Sequence, residues 1–397
     1  MARYLFLLSL VFCFAACSST DEEPDPVEAT CTDELSAACL VDQMICTVGE
    51  FGPGCTPCPA GQYASADDAS ACVDIPGTKM VHTFPMTHTE GGQEITNMCR
   101  SWSIGNTEPI YVSAVEFIQD EHSHHSNWMF VPEGNFEGPD DEIWPCADYG
   151  YCSNDHCPEQ LTAALLGGVL YVQSTQAPRE VQKLPPGAVI KLPANARIIS
   201  DVHLLNLTEE PKDGNSTMTL YTVPEEEAEI AVAPFHLDFE ELAIPPNAHS
   251  RWTAECPLAQ TYEDIAGIPL DLEIYYLLPH THALGTRVFV EIIGGPNDGE
   301  SLMDVRGFNS EARGYRYWPG VSLAGAEGLR FGCEFYNPTD EVVGWGFADQ
   351  EMCEVLGFGN AKIAFEANVQ SFEVGGKEGE IELFNGNCET FGFAWNP

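Results

Sequence analysis

The chain has 397 residues, 61 acidic against 16 basic side chains, and 16 cysteines. A formal charge of -45 excludes nucleic acid and anionic membrane surfaces as partners, because both would repel it. At 44% hydrophobic and 10% aromatic content the chain is too apolar for a disordered acidic tail, and this many cysteines point to an oxidising compartment.

Arg3 precedes an apolar run from Tyr4 to Phe14, followed by Ala15-Ala16-Cys17. A basic start, an apolar stretch and small residues before a cut make an export signal, too short to span a bilayer. Ala-Ala-Cys resembles a bacterial lipobox, so residues 1–17 read as a lipoprotein-type signal peptide with Cys17 as the lipidation site. Phe14 stands where that motif usually has Leu, and plain secretory cleavage is the alternative. Residues 18–30, rich in Asp, Glu and Pro, form an acidic tether. The expected location is that of an exported bacterial lipoprotein at the outer membrane, on its periplasmic or cell-surface face. Membrane attachment would be through the N-terminal lipid alone.

Cys31, Cys39, Cys46, Cys55, Cys58 and Cys72 crowd into a segment with almost no apolar periodicity. Residues 31–75 are therefore expected to be a small module stapled by disulfides, with pairings that sequence does not choose. Cys55-Thr56-Pro57-Cys58 has the spacing of a redox pair but lacks the βαβ surroundings one needs. The module reads as a spacer or adhesive element.

From about Thr78, short runs rich in Val, Ile, Phe and Tyr alternate with turn signals, which predicts β-sandwiches. Only residues 159–166 look helical. The acidic segment Val223-Pro224-Glu225-Glu226-Glu227-Ala228 marks a junction, dividing the chain into one sandwich at 79–225 and another at 226–397. No internal repeat is evident. The expected fold is all-β: two tandem antiparallel, jelly-roll-like β-sandwich domains preceded by a small disulfide-rich module.

Most of the histidines cluster. Glu121-His122-Ser123-His124-His125 lies in the first half and His280-Thr281-His282 in the second. On a strand, residues i and i+2 share a face, so His280 and His282 can offer two imidazoles to one ion. Imidazole suits zinc, copper, nickel or iron, whereas an added thioether selects copper. Met352, beside Cys353, is the methionine to consider.

Taken together, these segments resemble the copper type II, ascorbate-dependent monooxygenases, the family of peptidylglycine α-hydroxylating monooxygenase and dopamine β-monooxygenase. His280-Thr281-His282 with Gly285 resembles the family's HTHxxG, and Cys333 through Tyr336, Asn337 and Thr339 to Glu351-Met352-Cys353 resembles its Glu-Met-Cys block. His124-His125 matches the paired histidines of the first copper and His203 the later lone one, with Leu204 where an aromatic is usual. His122 paired with His124 or His125 is the alternative. The likeness covers roughly residues 79 to 395. It implies two copper ions per chain, held by His124, His125 and His203 and by His280, His282 and Met352. It also implies disulfides Cys333–Cys353, Cys99–Cys146 and Cys256–Cys388, leaving Cys152 and Cys157 for each other. His82, His88, His156, His236 and His249 match no family position.

The implied activity is hydroxylation of a C–H bond of a small organic substrate with O₂ and ascorbate or another one-electron donor, by a monomer. His280, His282 and Met352 would be the oxygen-activating set. In the peptide-amidating branch an arginine anchors the substrate where this chain has Leu278, and two further substrate-facing positions hold Glu354 and Leu356. A glycine-extended peptide loses its anchor here, and Glu354 would suit an amine. Two rival readings are a non-catalytic copper-binding or surface ligand-binding lipoprotein, and a zinc hydrolase using His280 and His282 with Asp349 or Glu351.

Overall fold

A computed structural model describes residues 30–41, 44–49, 52–65, 68–120, 122–151, 163, 167–172, 178–307, 314–346 and 350–395, with only the backbone of Val41 and His125. The leader, Cys17, most of the tether, Cys152, His156, Cys157 and Asp349 lie outside the described residues, as does the expected helix except Ala163.

Each half is built on six long strands. In the first half these are β1 (Thr78–Thr83), β2 (Glu94–Ser103), β3 (Ile110–Ile118), β4 (Asn127–Pro132), β5 (Ala196–Leu205) and β6 (Thr217–Val223). In the second half they are β7 (Ala233–Asp238), β8 (Ala248–Pro257), β9 (Glu273–His280), β10 (Gly285–Ile293), β11 (Gly328–Asn337) and β12 (Glu354–Asn360). In the first sandwich β2, β5 and β4 are neighbours in one sheet and β3, β6 and β1 in the other. In the second, β8, β11 and β10 share one sheet and β9, β12 and β7 the other. Adding six to each strand number turns the first arrangement into the second. The halves therefore carry one topology twice, although no sequence repeat announced it.

Antiparallel pairing dominates. Among the named strands the parallel pairs are Ile230–Ala231 beside Ala188–Leu192, Ile363–Asn368 beside β7, and Ile381–Asn387 beside β8. Because Ile230–Ala231 still pair with the first sandwich, the crossing between halves lies beyond the acidic junction segment. Two short helices, Asp33–Val41 and Ala259–Ala266, were not expected.

Alternation explains the cores. Along β8, Ser250, Trp252, Ala254 and Cys256 point inward while their neighbours face out. β9 breaks this rule because it is covered on both sides. Ile274 and Leu277 belong to the second core, whereas Tyr276 and Leu278, with Leu356 and Phe358 of β12, join Val112, Leu184 and Ile190 of the first sandwich. That face of β9 and β12 is where the two halves meet.

The same corner closes each half. Asn206, just past β5, accepts from Thr208 N at 3.1 Å and Thr208 Oγ1 at 2.7 Å, and donates to Glu90 O at 3.1 Å and Glu210 O at 2.9 Å. Asn337, ending β11, accepts from Thr339 N at 2.9 Å and Thr339 Oγ1 at 2.7 Å, and donates to Ile244 O at 3.3 Å and Glu341 O at 2.8 Å.

The module is bridged Cys31–Cys46, Cys39–Cys55 and Cys58–Cys72. Cys55 and Cys58 thus belong to different bridges, and the CxxC is not a redox pair. Its second part docks on the first sandwich. Glu116, buried on β3, receives Arg179 Nε at 2.6 Å, Tyr221 OH at 2.6 Å and Gly61 N at 2.9 Å. Arg179 also donates to Cys58 O and Gln62 O. The bridges Cys99–Cys146, Cys256–Cys388 and Cys333–Cys353 are present. Among the described residues no helix is long and apolar enough to cross a membrane.

Candidate metal centre

The two histidine groups sit on the same connection of the repeated topology. His122 to His125 lie between β3 and β4; His280 ends β9 and His282 lies between β9 and β10. The short strand Ser123–His125 lies against β5, setting the backbone of His125 opposite His203. The rings of His124 and His203 meet edge to face with centroids 4.6 Å apart. Glu94, at the start of the neighbouring β2, holds His203 Nε2 at 2.8 Å. That contact fixes the orientation of the His203 ring.

His122 is not part of this group. It is buried, with Nε2 at 3.0 Å from Thr87 Oγ1 and Nδ1 at 3.4 Å from Thr89 Oγ1. Both ring nitrogens of His122 thus have hydroxyl partners.

In the second group the rings of His280 and His282 are again edge to face, 5.1 Å apart. His282 Nδ1 is 2.7 Å from the carbonyl of Gln350, so it carries the proton and Nε2 presents the lone pair. The buried carboxylate of Glu351 accepts from His282 N at 2.8 Å and Leu284 N at 2.6 Å. Met352 follows, 5% exposed, and Cys353 is bridged to Cys333 on β11. A Cβ on Gly285 would come within 2.2 Å of Thr281 Oγ1, which is why the HTHxxG turn ends in glycine.

Glu354 stands directly opposite His280 in the β9–β12 ladder. It lies 3.6 Å from His236 Nε2. Burial alone would lower the pKa of His236, but Glu354 and then Asp238 and Glu366 hold it up to about 10. Leu278 and Leu356 face each other across the same ladder and are packed between the sandwiches. His82 is stacked on Trp102 beside Asp141, and the exposed His88 is shared by Asp213 and Glu90.

The two groups share one electrostatic environment. Burial pushes the His124 imidazole down to about 4, and the rings of His203, His282 and His280 push the same way. Burial also lowers His203, where Glu94 pulls upward and His282 again lowers. Neutral imidazoles are what a metal binds. Among the described residues no three His, Cys, Asp or Glu side chains form a ready-made cluster. The second set holds only two such groups, its third donor being a thioether. The donors fit a soft, imidazole-preferring ion. Of the acids that a zinc hydrolase would use, each oxygen of Glu351 already accepts a backbone N–H bond, and Asp349 lies outside the described residues.

Sequence reasoning overlooked Glu94, Gln350 and His236. Glu94 and Gln350 act on histidines far away in the chain, and Gln350 acts through its backbone.

No family model matches the chain, and no curated protein matches it. Solved structures similar to it include the major capsid protein P2 of bacteriophage PM2, with TM-score 0.29 and 8% identity over 72% of this chain and 98% of that one. PBCV-1 VP54, fitted into a reconstruction of the virophage Sputnik, gives TM-score 0.22 and 8% identity over 72% of this chain and 94% of the other. The PBSX exported protein XepA gives TM-score 0.18 and 9% identity over 80% and 98%. Likeness at this level assigns the chain no function.

Proposed function

We propose that this chain is an exported, lipid-anchored monomer that hydroxylates a C–H bond of a small organic substrate using two copper ions, O₂ and ascorbate or another one-electron donor. The observation that carries the reading is that two histidine groups, on equivalent connections of separate sandwiches, lie close enough for His282 and His280 to add to the burial that lowers His124, and for His282 to do so at His203. His124, His125 and His203 would hold one ion and His280, His282 and Met352 the other. Copper, when bound, supplies the one-electron and O₂ chemistry.

The protein's part is placement. Gln350 fixes the tautomer of His282, and Glu351 and the Cys333–Cys353 bridge hold the segment that carries Met352. Glu94 orients His203. Leu278, Leu356, Tyr276 and Phe358 close the apolar side of the meeting face and keep water from it. Glu354 is the acid a protonated amine would meet, in exchange for His236.

Metal content and turnover test this together. The mature full-length chain, loaded with copper, is expected to hold about two ions per chain, falling to about one in His280→Ala/His282→Ala. Met352→Ala should keep the first ion and lose substrate-stimulated, ascorbate-dependent O₂ uptake. Zinc retained in preference to copper, or no stoichiometric metal, would overturn the proposal.

A further inference from the structure

The sheet of β9, β12 and β7 continues into Ile363–Asn368. Residues opposite one another in a ladder share a face, as do i and i+2 along a strand. One face of this sheet therefore carries two rows. Leu278, Leu356, His236 and Glu366 form the first, and His280, Glu354, Asp238 and Asn368 the second. The two leucines are packed between the sandwiches. Beyond them the face turns acidic, with Glu354, Asp238 and Glu366 set around the imidazole of His236, whose Nε2 is 3.6 Å from Glu354. Among the described residues no lysine or arginine pairs with any of these three acids.

Asn368 adds an observation of a different kind. It is 5% exposed and hydrogen-bonds Glu366, yet among the described residues its buried Oδ1 has no partner. Buried amide oxygens ordinarily accept a hydrogen bond. The residues opposite Asn368 in its two ladders, Asp238 and Glu389, are acids, so the row itself offers Oδ1 no donor. Asp238 is 3% exposed and accepts from Trp345 Nε1 at 3.2 Å. Burial pushes both Asp238 and Glu366 up, Glu354 and Glu240 push the same way, and His236 opposes them.

Three carboxylates against one imidazolium leave two negative charges without a counter-charge. A divalent metal ion would balance them, but it needs ligands gathered round a point. Among the described residues no three His, Cys, Asp or Glu side chains are so gathered. The acceptors are instead laid out across three strands, a span of about 10 Å at about 4.8 Å per strand spacing. A row of that kind suits an extended dication whose two charges carry N–H donors.

We propose that Asp238, Glu354, Glu366 and Asn368 bind a linear alkyl diamine, one ammonium held by Glu354 and Asp238 and the other by Glu366 and the Oδ1 of Asn368. An ammonium brings three donors and so serves a carboxylate and an amide oxygen together. Binding itself does not require copper. That the bound diamine is the molecule hydroxylated rests on the copper reading, Glu354 standing opposite His280.

Calorimetric titrations and thermal melts of the metal-free full-length chain test it, with putrescine at an ionic strength held constant by sodium chloride, against butylamine, the matching diol and calcium. Putrescine should bind at about one per chain and raise the melting temperature saturably, butylamine should bind at least about tenfold more weakly, and the diol should not bind. Asn368→Ala should weaken putrescine about tenfold, the loss of one bond from a charged donor. Glu366→Gln, at a half-buried position, should remove most of the preference for putrescine over butylamine. Asp238→Asn should do the same and keep the bond from Trp345; if it does not fold, Glu366→Gln alone decides. Calcium bound more tightly than putrescine would make this a metal site. Equal putrescine responses in wild type and variants would reflect only the general attraction of a highly acidic surface. Either result overturns the proposal. Because these readings are taken without copper, their failure leaves the copper stoichiometry untouched, and failure of the copper reading leaves the diamine site standing.

Discussion

The β3–β4 and β9–β10 connections occupy the same place in the repeated topology, yet they hold their histidines by different means. In the first sandwich the hold is made by side chains. Glu94 fixes His203, and a short extra strand presses His124 and His125 against β5. In the second sandwich the hold is made through the backbone. Glu351 grips two N–H groups of the HTH turn, Gln350 offers its carbonyl, and a disulfide clamps the neighbouring strand. The first arrangement buries His203 and half-buries His124, and on the proposed reading would suit an ion that keeps its ligands. The second holds the turn rigid beside Met352, whose thioether would, on the proposed reading, be a weaker donor suited to an ion that must leave a position open. One scaffold used twice can thus supply two unlike metal environments.

The outer faces differ as well. The first sandwich carries the module on the sheet of β3 and β6; the second has no such cover among the described residues. The buried Arg179–Glu116 pair makes that contact, and removing one partner leaves the other charge uncompensated. Arg179→Ala should therefore cost about 3–5 kcal/mol in chemical denaturation. Arg179→Met/Glu116→Leu should recover much of it. A loss below about 1 kcal/mol in the single variant would mean that the docking of the module does not depend on this ion pair.

A smaller effect is expected at the second connection. Glu351→Ala removes two charge-assisted hydrogen bonds from buried backbone, at roughly 1.5–3 kcal/mol each before relaxation. The expected total is about 3 kcal/mol, with loss of the second copper and retention of the first. Unchanged copper stoichiometry would show that the backbone grip does not shape that site.

The sandwich class was legible because burial alternates along strands such as β8, and Trp252 and Cys256 fall on one face by count alone. The doubly buried run Ile274–Leu278 was readable only as apolar; which of its faces meets the other half depends on a partner far away in the chain. The site was half legible. Spacing put His280 and His282 together, and the turn glycine followed from the motif. Glu94 carries no local mark, since it meets His203 across a separation of 109 residues. His122 looked like a ligand because its neighbours do, and two threonines more than thirty residues away claim it. The repeat itself was hidden because its surviving signature is three polar residues, Asn206, Thr208 and Glu210 against Asn337, Thr339 and Glu341, whose shared role lies in backbone contacts.

Those corners allow the equivalence of the halves to be measured. Asn206→Ala and Asn337→Ala each remove hydrogen bonds to at least two carbonyls, one N–H and one hydroxyl, and should cost about 2 kcal/mol apiece. Asp at either position should cost nearly as much, because a carboxylate cannot donate to the carbonyls. Losses that differ by more than about 1 kcal/mol would show that the two corners match in geometry but not in mechanical weight.

The last contrast vanishes at neutral pH and grows with acid. Burial holds His124 near 4 in the folded, metal-free chain, whereas an unfolded histidine takes up its proton near 6.5. Between those values the unfolded state binds more protons, so folding stability falls as pH falls from about 6.5 towards 4. Above 6.5 the group contributes no slope. His124→Gln should flatten that part of the metal-free stability curve while leaving stability at pH 7.5 nearly unchanged. Copper should abolish the slope near 6 in wild type, because an occupied imidazole resists the proton. Parallel curves for wild type and variant would place His124 in solvent, and with it the first connection's claim to a buried site.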